Sequence, residues 1–350
     1  MNNKYQIYML LLKARTFIAL LAVVLFFGFM VSNFITVSNL LIMTQHVAIT
    51  GLIAIGMTLV ILTAGIDLSV GSVVGLGGMI AGLLLTQGVT FGDHMLFFSV
   101  IEVIIIVMIF GGLVGLVNGV IITKCGVAPF ICTLGMLYIG RGAALLVNNG
   151  STFPNLVGLE ELGNTGFAEL GSGTVLGIYI PIWIMVVMTL IAIYITNKTP
   201  LGRYIYAIGS NENGARLAGV PIIKTKLFVY IFSGVCSAIV GLILASQLLT
   251  SHPMTGNMFE MDAIGAAALG GTSLAGGRGK VLGSIIGAFV IVFLADGMVM
   301  MGVSNFWQMV IKGMVIIAAV IIDQFQERLQ RKVVLMSRTA EVTGGKESAA

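Results

Sequence analysis

The glycine-rich run of residues 276–280, GGRGK, has the composition closest to a phosphate-binding loop. A loop of the Walker A type needs a glycine five positions before its last glycine and a serine or threonine directly after its lysine. Leu274 and Val281 stand at those two positions. No strand is predicted before the run either. The sequence therefore predicts no site for nucleotide hydrolysis, so ATP and Mg²⁺ are not expected as cofactors of this chain.

The other reactive side chains form no recognisable set. The three histidines are far apart, and the three cysteines have no paired spacing. Neither a metal site nor a disulfide framework is therefore predicted. No Ser/His/Asp combination and no pair of carboxylates stands out for hydrolysis. We predict that the chain is not an enzyme by itself.

Several polar residues interrupt long apolar runs, where charges are costly and often functional. Pairing within a helix bundle is the simpler interpretation, and contact with a transported solute is the alternative. A proton relay would need several acids and histidines in order of depth, which these residues do not supply. The candidates for a pathway or for the interior of a bundle are Asp67, Ser69, Asn118, Arg141, Gln247, Gln308 and Lys312.

The polar segment 196–226 carries five basic residues and a single acid, Glu212. It is expected to contain one short helix, with Ser210 as its N-cap and Gly219 at its end. Arg216 follows Glu212 by four residues and can pair with it on one helical face. A helix of about two turns needs a surface to lie against. The segment is therefore either a solvated connector or a docking helix for a partner protein.

Long apolar runs must position these residues. Hydrophobic residues make up 58% of the chain and charged residues 9%, against about 25% charged residues in soluble proteins. The runs are continuous rather than short and alternating, so a transmembrane β-barrel is not expected. We predict an all-α polytopic membrane protein with about ten spans. The predicted spans are residues 17–35, 44–64, 70–87, 95–122, 128–147, 178–196, 227–248, 260–275, 281–300 and 306–323.

The lysines and arginines outside the spans lie at the two ends of the chain and in alternate connections between the spans. Because basic residues favour the cytosolic side, both termini are predicted to be cytosolic. The basic residues are spread over many loops, so a nucleic-acid partner is not expected. The connections without lysine or arginine are near residues 37–43, 88–94, 148–177, 249–259 and 301–305.

Two predicted spans are interrupted. The second ends in residues 63–72, TAGIDLSVGS, and the eighth runs into the glycine-rich residues 263–280. Interrupted helices are tolerated where protein or a water-filled cavity satisfies the freed backbone groups, and such interruptions in both halves of a chain point to a transport pathway. A tight turn between two spans explains each break equally well.

Three motifs identify a family. The run AIGMTLVILTAGIDLSVGS at residues 54–72 closely resembles the second-span motif of the membrane permeases of ribose-type ABC sugar importers. LGRYIYAIGSNENGARLAGV at residues 201–220 is similar to their cytosolic coupling segment. EMDAIG at 260–265, followed by LGGTSLAGG at 269–277, looks like their third hallmark. The resemblance covers roughly residues 35–325.

The resemblance implies a fold of the cobalamin-importer type with ten spans, some of them discontinuous. It implies a homodimer or a pair with a close paralogue, set in membrane lipid. It also implies a partner ABC ATPase, which binds ATP and Mg²⁺, and a periplasmic sugar-binding protein. After the acid of the coupling motif the family often has two adjacent alanines or a bulkier residue, whereas this chain has the more flexible Asn213-Gly214. The coupling residues implied by the resemblance are Ser210, Asn211, Glu212, Asn213, Arg216 and Leu217.

The predicted function is therefore the translocation subunit of an ATP-driven importer of a ribose-like pentose or hexose, in the bacterial inner membrane. Alternating access driven by the partner ATPases would move the sugar. The alternatives are a permease for an autoinducer or another small polar solute, and an ion-coupled secondary transporter. The predicted boundaries are a cytosolic N-terminus at 1–15, a transmembrane domain at 16–325 with a coupling loop at 196–226 and a periplasmic loop at 148–177, and a cytosolic tail at 326–350.

Overall fold

The computed structural model describes residues 3–91, 94–158, 160 and 163–322. The predicted cytosolic tail at 326–350 lies outside the described residues. Within them the chain is mostly helical, with two short antiparallel hairpins, β1 (Val89–Phe91) with β2 (His94–Leu96) and β3 (Thr174–Val175) with β4 (Ile178–Tyr179). The helices are α1 (Asn3–Met30), α2 (Val37–Leu62), α3 (Val70–Thr86), α4 (Val100–Lys124), α5 (Pro129–Leu146), α6 (Ala168–Ser172), α7 (Ile180–Lys198), α8 (Pro200–Ser210), α9 (Glu212–Leu217), α10 (Ile222–Leu248), α11 (Phe259–Leu269), α12 (Val281–Met300) and α13 (Asn305–Ile322).

Seven helices in the described part of the chain are long and apolar enough to cross a membrane: α2, α4, α5, α7, α10, α12 and α13. Helix α3 and the apolar part of α1 from Arg15 onwards are shorter, and α11 has 11 residues. The prediction of a helical protein with many membrane-crossing segments is confirmed. Helix length alone does not give the predicted number of ten, because the predicted spans 17–35, 70–87 and 260–275 fall on the shorter apolar stretches of α1, α3 and α11.

Helices α2 and α10 form the centre of the molecule. Of their most apolar stretches, 89% and 72% of the residues are buried, compared with 22% for α4 and 6% for α13. Helix α10 packs along α4, α3 and α2. A helix that is apolar around its whole circumference is stable either in a core or against lipid, and the central pair is enclosed by the other helices.

Helix α4 approaches α10 most closely where glycines face each other. A Cβ atom on Gly111 would lie 2.5 Å from the carbonyl oxygen of Gly234, and one on Gly115 would collide with the carbonyl of Tyr230. Glycines four residues apart let two backbones meet in a lipid environment, where packing rather than the hydrophobic effect holds helices together.

The start of α4 differs from the prediction. The fourth span was expected from residue 95, but residues 94–96 form β2 and the helix begins at Val100. Ser99 is its N-cap, and the Glu102 carboxylate accepts a hydrogen bond from the Ser99 backbone N–H at 2.8 Å. This capping box satisfies two amide groups at the helix end. Glu102 is consequently an exposed residue of the first turn.

Candidate functional site

The segment that connects α7 to α10 is helical over most of its length. Helix α7 extends to Lys198, and α8 follows after a single residue, Thr199. The Thr199 hydroxyl accepts a hydrogen bond from the Gly202 backbone N–H at 3.3 Å, and Pro200 occupies the first turn. The prediction of one short helix here is incomplete because it leaves out α8, although a threonine followed by a proline is a recognised signal for a helix start.

Helix α9 is capped by Asn211, and the prediction of Ser210 as its N-cap is wrong. Asn211 has an extended backbone, and its side-chain oxygen accepts a hydrogen bond from the Gly214 N–H at 3.0 Å. Ser210 is the last residue of α8, and its hydroxyl donates to the Tyr206 carbonyl at 2.8 Å. Ser210 cannot cap α9 because a cap residue must have left the helical conformation. The predicted end at Gly219, with φ of 77°, is observed.

Two cations share the carboxylate of Glu212. Arg216 contacts one oxygen at 3.4 Å, and Lys226 donates to the other at 2.7 Å. The pair with Arg216 lies at the i, i+4 spacing noted in the sequence. Lys226 lies on α10 and its side chain is largely buried, so this second contact ties α9 to the start of α10. The sequence did not indicate it, because it depends on how the chain turns back after α9.

Helix α9 has one buried and one exposed side. Ala215 packs against Ile208 of α8 and Ile222 of α10. Asn213 and Arg216 point to solvent, and the side chain of Leu217 is 91% exposed. The helix is therefore fixed to the bundle through its small residue and presents a leucine and an arginine outwards. We refer to the end of the bundle that carries α8 and α9 as the α8–α9 face.

Helix α8 lies directly against the end of α2 and the glycine-rich run 276–280. Gly209 leaves no room for a Cβ atom beside the Leu62 carbonyl, and that carbonyl accepts a hydrogen bond from the Gly277 N–H at 3.1 Å. The hydroxyl of Tyr206 donates to the Gly279 carbonyl at 2.9 Å. Burial raises the pKa of the Tyr206 phenol, which favours the neutral donor. The glycine-rich run 276–280, which lacks the residues of a phosphate-binding loop, therefore packs against α8.

Just beyond Leu62, three of the predicted polar candidates meet in a buried network. Asp67 accepts hydrogen bonds from the backbone N–H and hydroxyl of Ser69, at 3.0 and 2.6 Å, and from the Ser233 hydroxyl at 2.9 Å. Asn118 donates to the Ser69 hydroxyl at 3.0 Å. All four side chains are buried. The network joins the turn between α2 and α3 to α4 and α10, and buried polar groups satisfied in this way fix their neighbours in one arrangement.

The structure does not bring the other four candidates together. Lys312 of α13 pairs with Asp262 of α11 at 3.0 Å, and Gln308 donates to the Val303 carbonyl at 2.8 Å. Gln247 is half-buried near the end of α10. A charge inside a bundle is most often paired in this manner.

Arg141 holds together three separate parts of the chain. Its guanidinium group donates to the carbonyls of Pro253 and Thr255, at 2.6 and 2.9 Å, and to the carbonyl of Gly71 at 3.1 Å. These contacts connect α5 to the start of α3 and to the connection between α10 and α11. Three of the five guanidinium N–H groups are used in this way, and the side chain is only half-buried.

A cavity of about 770 Å³ opens beside α9, between the α4–α5 connection and the start of α10. Glu212, Arg216 and Lys226 line it together with the start of α5. Among the described residues no group of three or more histidines, cysteines or carboxylates could hold a metal ion. The site therefore offers mechanical links and a partly charged surface rather than groups for making or breaking bonds.

Comparisons with known proteins agree with this description. The family described as "Branched-chain amino acid transport system / permease component" matches residues 39–320. The ribose import permease protein RbsC of Haemophilus influenzae is 40% identical over 324 residues, covering 93% of this chain and 97% of the relative. RbsC of Bacillus subtilis is 40% identical over 312 residues, covering 89% and 92%. The xylose transport system permease protein XylH of Escherichia coli is 33% identical over 365 aligned positions, covering 89% and 91%. No solved structure matches the chain significantly.

Proposed function

We propose a transport function for this chain, which belongs to the branched-chain amino acid transport system / permease component family: it is the membrane translocation subunit of an ATP-driven, binding-protein-dependent sugar importer. The observation that carries the proposal is the 40% identity to a ribose import permease over 93% of the chain. The resemblance noted in the three sequence motifs is thereby confirmed. The relatives named for ribose and xylose favour a pentose as the solute. The chain is a transporter component rather than an enzyme.

Transport of a neutral sugar requires conformational change but no covalent chemistry. In the proposed mechanism, ATP and Mg²⁺ bind to the partner ATPase, whose movements reach this chain through α9. Helix α8 passes the movement to the end of α2, because Gly209 leaves the two backbones in direct contact. The network around Asp67 lies five residues beyond Leu62 and connects α2 to α4 and α10. A displacement of α8 would thus reach the central helices of the bundle, as alternating access requires.

We assign ATPase coupling to the α8–α9 face. The exposed residues Asn213, Arg216 and Leu217 form the contact, while Asn211 caps α9 and Glu212 ties the helix to Lys226 of α10. Ser210 contributes by ending α8. The exposure of Leu217 supports a docking role over a solvated connector, and so does the attachment of α9 to its neighbours through the packing of Ala215 and the ion pair between Glu212 and Lys226.

The remaining features of the proposal follow from the family and from the loop charges. The chain spans the bacterial inner membrane ten times in a cobalamin-importer type of fold. It pairs with a second permease subunit, either a copy of itself or a close paralogue. The α8–α9 face and both termini are cytosolic, and the loop 148–177 on the opposite face is periplasmic and meets the sugar-binding protein. That loop carries Glu160, Glu161 and Glu169 and no lysine or arginine, so we expect it to contact basic residues of the binding protein.

The proposed orientation predicts a difference in reactivity between two positions. Cys125 is exposed beside the α8–α9 face, and Ser151 is exposed on the loop that follows α5. In cells with a permeable outer membrane but an intact inner membrane, an impermeant thiol reagent should not label Cys125. It should label Ser151→Cys in a chain that also carries Cys125→Ser. Cys125 should become reactive once the inner membrane is opened, and labelling in the reverse order would show that the orientation is inverted.

Reconstitution tests the function itself. The purified chain alone should hydrolyse no ATP. Proteoliposomes that also contain the partner ATPase and the binding protein should accumulate radiolabelled ribose when ATP is inside, and xylose, glucose and an autoinducer should be compared as competitors. Uptake by the chain alone in response to an ion gradient would contradict the proposal. ATP turnover by a preparation free of any ATPase subunit would contradict it as well.

A further inference from the structure

Tyr138 occupies an unusual position in α5. It lies about midway along Pro129–Leu146, and its side chain is 71% exposed. Among the described residues, no other polar side chain is this exposed in the middle of a long apolar helix. Of the tyrosines whose side chains the structure describes, one other is exposed: Tyr194, which lies one turn from Lys198 at the end of α7. Tyrosine is common near the ends of membrane helices, where its hydroxyl reaches water, but a hydroxyl at mid-membrane in lipid would have no partner.

The exposed face of α4 has the residue composition expected of a surface in contact with lipid. Between its first and last turns, its exposed residues are all aliphatic or phenylalanine: Ile105, Ile109, Phe110, Leu113 and Val117. The exposed large residues in the middle of α7 are also aliphatic. The exposed surface of α5 also carries Ile131 and Ile139, but it differs from α4 in having two open glycine positions and the hydroxyl of Tyr138, which acyl chains cannot satisfy.

The surface around Tyr138 leaves space for a polar solute. Gly135 and Gly142 flank it on α5, and a Cβ atom on either glycine would meet nothing within 4 Å. Arg141 lies one turn further along. Its three hydrogen bonds to carbonyls fix the guanidinium group and leave two N–H groups for another acceptor. An aromatic ring, a phenolic hydroxyl and arginine N–H groups suit the apolar faces and hydroxyl oxygens of a neutral sugar.

We propose that Tyr138 lines the translocation pathway and contacts the sugar during its passage, with Arg141 as the neighbouring donor. This inference rests on the proposed function and names a residue that the motifs did not indicate. It places the outward face of α5 in water rather than in lipid, and it makes the Tyr138 hydroxyl a hydrogen-bonding group for the sugar at mid-membrane.

The test measures thiol reactivity in the complete importer, reconstituted with its ATPase and binding protein. Tyr138→Cys and Ile109→Cys are compared in a chain that carries Cys125→Ser. Ile109 is the matched control because it is 58% exposed and lies near the middle of α4. A charged, water-soluble methanethiosulfonate should modify Tyr138→Cys, and ribose-loaded binding protein with ATP should slow the reaction. Ile109→Cys should stay unreactive.

Uptake provides a second readout. Tyr138→Ile should lower the rate of ribose uptake about fivefold to tenfold, the effect of losing one hydrogen-bonding aromatic contact. Tyr194→Ile, the matched change at a helix end, should leave the rate within about twofold. Comparing the uptake rates of Tyr138→Phe and Tyr138→Ile separates the contribution of the hydroxyl from that of the ring.

Two results would overturn the inference. If Tyr138→Cys is as unreactive as Ile109→Cys, the residue faces lipid. If two Tyr138→Cys chains form a disulfide and the reagent never reaches them, α5 packs against a second copy. A wild-type chain that imports no ribose would instead contradict the proposed function, so the two failures are distinguishable.

Discussion

Replacing Leu217 with aspartate is expected to abolish binding of the partner ATPase and uptake of sugar, while the membrane domain folds normally. The side chain is 91% exposed in this chain, so no internal contact is lost. Burying a leucine in a partner contributes about 1.5–3 kcal/mol, whereas an exposed ion pair such as one with Arg216 contributes at most about 1 kcal/mol. Packing should therefore dominate the contact.

The aspartate adds a second penalty, because it would place an unpaired carboxylate where the leucine was buried. A combined loss of 3 kcal/mol or more corresponds to a decrease in affinity on the order of a hundredfold. The measurements are co-purification of the ATPase in mild detergent and ribose uptake in vesicles. Glu212→Ala should reduce assembly less, because this residue acts by holding Arg216 and Lys226 rather than as the apolar contact.

Leu176→Asp is the matched control. Leu176 is 87% exposed, lies in the turn between β3 and β4, and has a positive φ that aspartate tolerates. Because that turn is on the opposite face, this variant should bind the ATPase at the wild-type level. If Leu217→Asp also keeps full binding and uptake, the α8–α9 segment is only a connector. Docking would then have to involve the neighbouring Arg278 and Lys280.

Replacing Gly115 with leucine is expected to prevent stable packing of α4 against α10. A Cβ atom at this position would collide with the backbone carbonyl of Tyr230, which cannot turn aside as a flexible side chain could. The helices would have to separate, and Gly111 would lose its close contact with Gly234. Overpacking a core typically costs about 1–3 kcal/mol, and a clash with backbone lies at the upper end or beyond. We expect a markedly lower unfolding temperature and a large loss of monodisperse protein in detergent.

Gly135→Leu is the same change where a Cβ atom meets nothing within 4 Å. Its unfolding temperature should stay close to that of the wild type, because it adds a good helix former without a clash. The comparison uses folding rather than transport as its readout, since Gly135 lies beside the proposed pathway. Equal stability of the two variants would mean that α4 and α10 are not in backbone contact.

Much of the architecture could be predicted from local patterns. Continuous apolar runs indicated membrane helices, and the residues TAGIDLSVGS indicated the break after α2. Gly219 marked the end of α9, and the spacing of Glu212 and Arg216 indicated their pair. These features depend on residues within a few positions of one another, which is why periodicity, capping and turn chemistry suffice. The three family motifs supplied the class of protein.

The faces of the helices required the tertiary structure. A span that is apolar on every side carries no amphipathic signal, so its sequence does not show which side packs and which is exposed. The exposure of Tyr138 and the contact of Gly115 with Tyr230 are therefore visible only in the folded chain. The same is true of the hydrogen bond between Asp67 and Ser233, which are 166 residues apart. It is also true of the packing of α8 against the glycine-rich run 276–280. The sequence by itself determined that the chain forms apolar helices, that it breaks after α2 and that α9 ends at Gly219, because those signals are local. Only the tertiary structure decided which polar groups meet, because each such meeting depends on how distant helices pack together.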